Sequence, residues 1–434
     1  MRSVKYIILM LLSCLPYVVN AQNKTDLLHR AQNAVTAVIV HDIFSPPVAS
    51  RIYFYASLAG YEAAAARPGH NSFRALRADF PAPVPSAMQV KPDPEFSAIY
   101  ATLHTASRFV FSDTAMLDSL GNILAAYPGI TPAERQASEQ WAKMVSDSVF
   151  SWAKNDNYLS TRKLRRYTLV KKPEAWKPTP PGYFAAVEPY WGRIRPVFID
   201  SLPQYRPQPP IAFSSEKNSR FYEQAMEVYS ASKKLTNSDS AVAMFWDCNP
   251  FFLNTQGHLN FATKKLSPGG HWMSIAGIAS AKERLSFTAT LTTYLATAIA
   301  LHDAFISCWD EKYSSNVIRP ESYINSYIDE SWRPLLQTPP FPEYTSGHSV
   351  ISAACAAVLS SIFGERFSFR DNTEVPYGLP SRDFNSFWEA AEEAAVSRFY
   401  GGIHYRQAVE QGLLQGKKIG MLVAGKIKPV MPLK

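Results

Sequence analysis

A run of small and apolar residues, Ser349–Phe363, constrains the fold of this chain more than any other stretch. The run is apolar on all sides, it lies downstream of the helix-breaking Pro342, and it ends at Gly364, a residue type that commonly follows helix C-termini. This pattern predicts a buried helix. No long alternating strand pattern occurs elsewhere in the chain, so the sequence predicts an all-α fold.

Ser346, Gly347 and His348 would then lie at the N-terminus of this helix. Unpaired backbone N–H groups and the helix dipole favour an anion there, and glycine lets an oxyanion approach the main chain closely. A histidine beside the anion can give or take a proton. The local chemistry leaves a simple capping turn open as the alternative.

Three cationic side chains flank this turn in the sequence. Lys312 and Arg319 follow a long apolar helical pattern, whereas Arg398 is followed six residues later by His404. Lysine supplies charge and arginine supplies bidentate geometry, so together Lys312, Arg319 and Arg398 can hold the oxygens of one oxyanion. His348 and His404 then remain for chemistry.

Lys-x6-Arg-Pro, a Ser-Gly-His turn and Ser-Arg-x5-His occur in that order between Lys312 and His404. This pattern resembles the signature of the phosphatidic acid phosphatase type 2 and vanadium haloperoxidase superfamily. A wider similarity to soluble bacterial haloperoxidase-like proteins reaches back to about His41. The resemblance implies a multi-helix bundle with long proline-rich loops, and it implies that Ser346 and Gly347 join the three cations in binding the oxyanion.

Two chemistries fit such a site. In a vanadium haloperoxidase, vanadate is the cofactor, His404 is its ligand, and His348 moves protons while peroxide oxidises a halide. In an acid phosphatase without a cofactor, His404 attacks phosphorus in a phosphomonoester and His348 protonates the leaving oxygen. The length of the chain and the resemblance of Trp176–Pro181 and of the His271 region to haloperoxidase-like proteins favour the first. A third hypothesis is an exported anion-binding protein without turnover.

Two positions depart from the family pattern. Thr345 stands where the family usually has proline, and Ala408 stands where it usually has an aspartate, four residues after His404. Loss of that carboxylate predicts a less well oriented His404 and reduced activity.

The overall composition limits the kinds of molecule that this protein can bind. The formal charge is +8 with 47% hydrophobic residues, and no basic run is massed with aromatic residues, which argues against nucleic-acid binding. Attraction of a small anionic substrate accounts for the positive charge. No stretch after the N-terminal segment has about 18 uninterrupted apolar residues, so no transmembrane span is expected in the mature chain.

The N-terminal segment 1–21 has the pattern of a signal peptide, with cleavage expected before Gln22. A lipoprotein site at Cys14 is the alternative, and both predict an exported protein, either periplasmic or secreted. Residues 22–215 are interpreted as an N-terminal helical region with a proline-rich wrapping segment, and residues 216–434 as the catalytic helical region. Cys248, Cys308 and Cys355 remain after cleavage, an odd number whose spacing argues against a disulfide framework and a zinc cage.

For three further residues the sequence allows two interpretations. His271 either lines the pocket or is structural, and Asp303 and Asp310 either orient the arginines or are solvated. The segment Val170–Pro210 is expected to wrap the helices and help wall the pocket, and Glu365–Asp383 is expected to be a polar loop that covers it.

Overall fold

The computed structural model describes residues 23–67, 69–84, 89–254, 261–262 and 264–431. The predicted signal peptide and the alternative lipoprotein site at Cys14 lie outside these residues, so export stays a prediction.

The described part of the chain is predominantly helical, which confirms the predicted all-α class. Its α-helices are α1 (Lys24–His41), α2 (Pro46–Ala63), α3 (Pro94–Ser107), α4 (Asp113–Ala125), α5 (Pro132–Ala153), α6 (Tyr158–Thr161), α7 (Arg220–Ser232), α8 (Asn237–Phe245), α9 (Pro268–Lys282), α10 (Phe287–Ser315), α11 (Pro320–Tyr327), α12 (Gly347–Phe363), α13 (Phe387–Tyr400) and α14 (Arg406–Ile427). Two short antiparallel hairpins pair β1 (Leu253–Asn254) with β2 (Phe261–Ala262) and β3 (Phe369–Asp371) with β4 (Arg382–Phe384).

Helix starts follow ordinary capping chemistry. Proline occupies the first helical position of α2, α5, α9 and α11, where its missing N–H costs no hydrogen bond. Thr131 and Glu134 form a reciprocal capping box at α5, and the Ser346 side chain accepts a hydrogen bond from the Ser349 N–H at α12.

Helix α10 is the central element of the core. It packs against α2 and α9 on one side and against α12 and α14 on another, so one hydrophobic core runs from α1 to α14. By length and composition α10 is the one helix among the described residues that could cross a membrane, and all of its apolar window is buried inside the protein. Helices of both predicted regions contribute to this core.

Helices α12 and α14 approach each other closely along a stripe of glycines. A Cβ atom at Gly416 would lie 1.9 Å from the Val350 carbonyl oxygen, and one at Gly420 would lie 2.4 Å from the Ala354 carbonyl oxygen. Only glycine permits this contact. Gly412, Gly416 and Gly420, spaced four residues apart on α14, thus let the two helices pack closely.

The proline-rich segment 170–210 contains no α-helix or named strand, and its two short 3-10 turns contact α10. The buried carboxylate of Asp303 on α10 accepts hydrogen bonds from the backbone N–H groups of Val197 (2.6 Å) and Phe198 (2.8 Å). Asp303 is therefore neither solvated nor a partner of the arginines, whereas Asp310 pairs with Arg206 at 3.2 Å.

One local prediction differs from the structure. The segment predicted as a polar loop, Glu365–Asp383, contains β3 and most of β4, whose strands are too short for a clear alternating pattern. The last helix, α14, begins at Arg406, because Tyr405 has extended backbone dihedral angles and serves as its N-cap.

Candidate active site

A cavity lies at the N-terminus of α12, where several predicted site residues meet. Gly347, His348, Arg398 and His404 line it. The rest of its wall is mainly apolar, with the aromatic and branched residues Phe251, Phe305, Trp309, Phe341, Ile351 and Ile403 and the small residue Cys248. Neither the segment 170–210 nor the β3–β4 hairpin lines this cavity, so neither walls nor covers it as predicted.

The turn before α12 is held from the opposite helix. The Ser346 N–H donates to the Ala408 carbonyl oxygen at 3.0 Å, which fixes the start of α12 against α14. Gly347 opens the helix on the cavity side, and a hypothetical Cβ there would lie 3.6 Å from the Trp309 ring. Free helix N-terminal N–H groups next to the cavity suit an anion.

His348 presents a buried Nε2 atom that has no hydrogen-bond partner among the described residues. Burial, followed by the nearby Arg398 charge, holds the pKa of His348 well below its usual value. The imidazole is therefore neutral at physiological pH and can accept a proton.

Lys312 lies in the last turn of α10 and is fully buried. Its ammonium group donates to the carbonyl oxygens of Pro342 and Glu343, both at 3.0 Å, and to that of Thr345. Burial is the main cause that lowers the pKa of Lys312 to about 7. Lys312 thus braces the turn that precedes Ser346 and does not line the cavity.

Arg319 is the N-cap residue of α11 and lies behind His404. It donates to the carbonyl oxygens of Phe341 (2.9 Å) and Ile403 (2.8 Å), and its Nη1 lies 3.1 Å from His404 Nε2. Its Nη2 is buried without a hydrogen-bond partner in the described part of the chain. Burial lowers the pKa of Arg319 to about 10, so the guanidinium stays charged at neutral pH.

Arg398, near the end of α13, reaches the cavity from the other side. Its Nη2 donates to the Ala243 carbonyl oxygen at 3.2 Å, and its Nη1 lies 4.0 Å from the Asp247 carboxylate. Burial is the main cause that lowers its pKa. Asp247, which also lines the cavity, was not identified from the sequence.

Glu343 supplies the carboxylate that the sequence lacks at Ala408. Its Oε1 atom lies 2.7 Å from His404 Nδ1 and accepts a hydrogen bond from the Tyr405 N–H at 3.0 Å. A proton on Nδ1 leaves the Nε2 lone pair of His404 available as a ligand. The predicted loss of orientation at His404 was therefore based on a wrong premise, since the partner comes from the α11–α12 connection. No sequence signal marked Glu343 for this role.

Burial favours the neutral forms of both Glu343 and His404. Burial raises the pKa of Glu343 to about 7, against the opposing effect of Arg319 and Lys312. Burial and then Arg319 hold the pKa of His404 well below its usual value, so this imidazole is neutral.

His271 does not line the cavity. It lies in the first turn of α9 behind Cys248, fully buried, with its Nε2 atom 2.7 Å from the Asp371 carboxylate. Of the predicted site residues, the structure thus places Gly347, His348, Arg398 and His404 on the cavity, Lys312, Arg319 and Ser346 directly behind it, and His271 in a separate cluster.

Comparisons with known proteins identify relatives of this chain. Residues 325–431 match the family model of the VCPO second helical-bundle domain. The chain is similar to the structure of the first bacterial vanadium-dependent iodoperoxidase, with 44% sequence identity and a TM-score of 0.85. The superposition covers 93% of this chain and 96% of the iodoperoxidase chain. The sequence matches none of the curated proteins.

More distant structures share the fold alone. The holo and apo forms of a bacterial vanadium-dependent chloroperoxidase have 19% and 18% sequence identity, with TM-scores of 0.69 and 0.68. They cover 90% and 89% of this chain, and 94% and 95% of their own chains are covered.

Proposed function

Because this chain belongs to the vanadium-dependent haloperoxidases, which use vanadate as cofactor, we propose that it oxidises iodide in preference to bromide and chloride. The observation that carries the proposal is the 44% identity, over nearly the whole of both chains, to a protein described as an iodoperoxidase. The cavity wall gives independent support.

The residues present fit vanadate. His348 Nε2 and Arg319 Nη2 are buried polar atoms that have no partner among the described residues, and both point to a missing oxyanion. Arg398 and the α12 N-terminus face the same cavity. Glu343 holds the Nδ1 proton of His404, so His404 would be the single nitrogen ligand, with Arg319, Arg398, Ser346 and Gly347 around the oxygens.

Bound vanadate supplies the Lewis acid that activates hydrogen peroxide, so that halide, peroxide and one proton give hypohalous acid and water. His348 is placed to carry that proton, because it lines the cavity and its buried Nε2 atom has no hydrogen-bond partner among the described residues. Lys312 acts at a distance, since its ammonium group fixes the turn that presents Ser346 and Gly347. Arg319 and Arg398 would stabilise negative charge in a cavity whose wall is mainly apolar.

The apolar wall of the cavity favours iodide. Transfer of an ion from water into a site walled by Phe305, Trp309 and Phe341 costs hydration energy, and this cost is larger for smaller ions. Iodide is the largest and most easily oxidised of the three halides. The wall therefore penalises chloride most and iodide least.

Steady-state kinetics with the three halides test this proposal. Purified protein is reconstituted with vanadate and supplied with hydrogen peroxide, and kcat/KM is measured for iodide, bromide and chloride. We expect kcat/KM for iodide to exceed that for bromide by about tenfold or more, a barrier difference of about 1.4 kcal/mol. An equal or higher value for bromide would overturn the proposal.

A wall variant isolates the origin of the preference. Phe341→Tyr keeps the aromatic ring and adds a hydroxyl that can solvate a smaller halide, so the ratio of iodide to bromide kcat/KM should fall. Val358→Ala, in the interior of α12 and away from the cavity, is the matched control and should leave the ratio unchanged.

A further inference from the structure

A second cluster of potential ligand atoms lies behind the cavity wall. Cys248, His271 and Glu374 come from the segment after α8, from the first turn of α9 and from the segment after β3, and all three are buried. One donor atom from each residue lies within 4.8 Å of the other two. We propose that these three residues bind a divalent transition metal ion, zinc by the nature of the ligand set, at a site separate from that of vanadate.

The distances between the three donor atoms match those around one tetrahedral ion. Cys248 Sγ lies 3.6 Å from His271 Nδ1 and 3.8 Å from Glu374 Oε1, and the latter two atoms are 3.3 Å apart. With zinc bonds of about 2.3 Å to sulfur and about 2.0 Å to nitrogen and oxygen, tetrahedral angles give about 3.5 Å from sulfur to either other atom and about 3.3 Å between nitrogen and oxygen. A single ion therefore fits between them.

The two contacts of Cys248 lie within the hydrogen-bonding range of sulfur, whereas the distance between the imidazole and the Glu374 carboxylate is long for a buried hydrogen bond. The two other buried contacts between imidazole and carboxylate in the described residues, His404 with Glu343 and His271 with Asp371, are both 2.7 Å long. The distance between His271 Nδ1 and Glu374 Oε1 is longer, at 3.3 Å. It equals the separation expected for a nitrogen and an oxygen ligand of one metal ion.

The far side of His271 is arranged as in many metal sites. Its Nε2 atom lies 2.7 Å from Asp371 Oδ2, and the other oxygen of Asp371 accepts hydrogen bonds from the Thr373 N–H (3.0 Å) and hydroxyl (2.7 Å). These hydrogen bonds fix Asp371, which accepts a further hydrogen bond from the Nε2–H of His271. Nδ1 points between Cys248 and Glu374, and loss of its proton would leave a lone pair there for a metal ion, as in other histidine ligands.

The site lies between two cavities. One of them is lined by Thr373 and Val375, the neighbours of Glu374 on both sides. Cys248 itself lines the vanadate cavity, and its neighbour Asp247 lies beside Arg398. A bound ion would hold the segment after α8, and with it this wall of the active site, against α9 and the β3–β4 hairpin.

Cysteine spacing does not reveal this site. A site with a single cysteine, drawn from three distant segments, has none of the paired spacing on which the exclusion of a zinc cage rested. The two conclusions are compatible, because that exclusion concerns sites made of several cysteines.

Metal analysis of the purified protein tests the proposal without reference to turnover. The full-length protein is equilibrated with zinc, freed of loosely bound ions by gel filtration, and analysed for zinc and vanadium separately. We expect about one zinc per chain in the wild type and in Cys355→Ala, a buried cysteine in the interior of α12. Cys248→Ser and His271→Gln should bind at least about tenfold less zinc.

Wild-type protein that holds no stoichiometric zinc, or Cys248→Ser that keeps it, would overturn the proposal. If the variants fail to fold, the cobalt-substituted wild type decides. A band in its absorption spectrum from charge transfer between thiolate and cobalt supports the site, and its absence refutes it. Vanadate content and iodide oxidation are measured on the same samples, so failure of the zinc site and failure of the proposed iodide preference are told apart.

Discussion

Two buried histidines in this protein each pair with a buried carboxylate. The groups on the far side of the two rings differ in charge. His404 and His271 each place one ring nitrogen 2.7 Å from a buried carboxylate, of Glu343 and Asp371 respectively. The other nitrogen of His404 faces the guanidinium of Arg319, whereas that of His271 faces Cys248 and Glu374.

The surroundings set the sign of charge that each pair attracts. Burial and then Arg319 hold the pKa of His404 well below its usual value, so a neutral imidazole faces an excess of positive charge and suits an anion. Burial also disfavours charge on His271, but Asp371 outweighs it and holds the pKa of His271 well above its usual value, so this imidazole is charged and a metal ion would displace its Nδ1 proton. The two imidazole–carboxylate pairs thus share one geometry, and the third group beside each pair selects an oxyanion or a cation.

Removal of the imidazole from the anion site should have the largest effect. His404→Ala deletes the proposed nitrogen ligand of vanadate, and we expect turnover with iodide to fall by about 10³-fold or more. Thermal unfolding monitored by circular dichroism should change little by comparison, because the cavity can admit water. Cys355→Ala is the control and should keep its activity. Retention of more than a tenth of wild-type turnover by His404→Ala would show that another residue binds vanadate.

Restoration of the family aspartate should harm the protein. Ala408 is buried among apolar residues and Glu343 already binds His404 Nδ1, so the carboxylate of Ala408→Asp would find no free partner. We expect a loss of about 3 kcal/mol in the free energy of unfolding and no gain in kcat/KM. Ala408→Asn matches the volume without the charge and should lose less. Higher activity in Ala408→Asp would mean that Glu343 does not replace the aspartate.

Substitution of each carboxylate in turn tests whether the two sites are independent. Glu343→Gln should weaken vanadate binding by about 10- to 100-fold and leave zinc content unchanged, because it disturbs only the orientation of His404. Asp371→Asn should do the reverse, with weaker zinc binding and vanadate affinity within about twofold of wild type. Equilibrium dialysis with elemental analysis measures both ions. If both variants lose both ions, the two sites are not independent.

The anion site was readable from the sequence and the second cluster was not, for a physical reason. Lys312, Arg319, Ser346, Gly347, Arg398 and His404 occur in short motifs whose internal spacing is set by one helix end or one turn. Their proximity follows from the resemblance to a known family. His271, Cys248, Glu374 and Asp371 come from segments up to more than a hundred residues apart, and only the packing of α9 against the β3–β4 hairpin brings them together.

Single carboxylates were the hardest residues to predict. Glu343 and Asp303 are both buried, and each is stabilised by backbone N–H groups that the sequence does not reveal, those of Tyr405 in one case and of Val197 and Phe198 in the other. Helix positions were easier, since capping residues and proline mark where α2, α5 and α9 begin.

The smallest effect should appear in the pH dependence of vanadate binding. Burial lowers the pKa of Lys312 to about 7, so the free protein loses this charge as the pH rises above 7. An anion bound nearby favours the ammonium form and raises that pKa again. Above pH 7 the bound state therefore holds one more proton than the free state, and the affinity should fall by up to about tenfold per pH unit, with no dependence on Lys312 below pH 7.

Lys312→Met isolates this contribution from the titration of vanadate itself. Both proteins bind the same anion, so its own deprotonation changes the two affinities alike, and the difference between their slopes belongs to Lys312. Isothermal titration calorimetry from pH 6 to 9 should give a steeper fall for the wild type than for Lys312→Met, although the variant binds more weakly throughout. Proton uptake above pH 7, measured in buffers of different ionisation enthalpy, should be larger in the wild type than in Lys312→Met by up to one proton per chain. Parallel slopes would show that Lys312 stays charged in the free protein, and that its hydrogen bonds to the turn at 342–345 outweigh its burial.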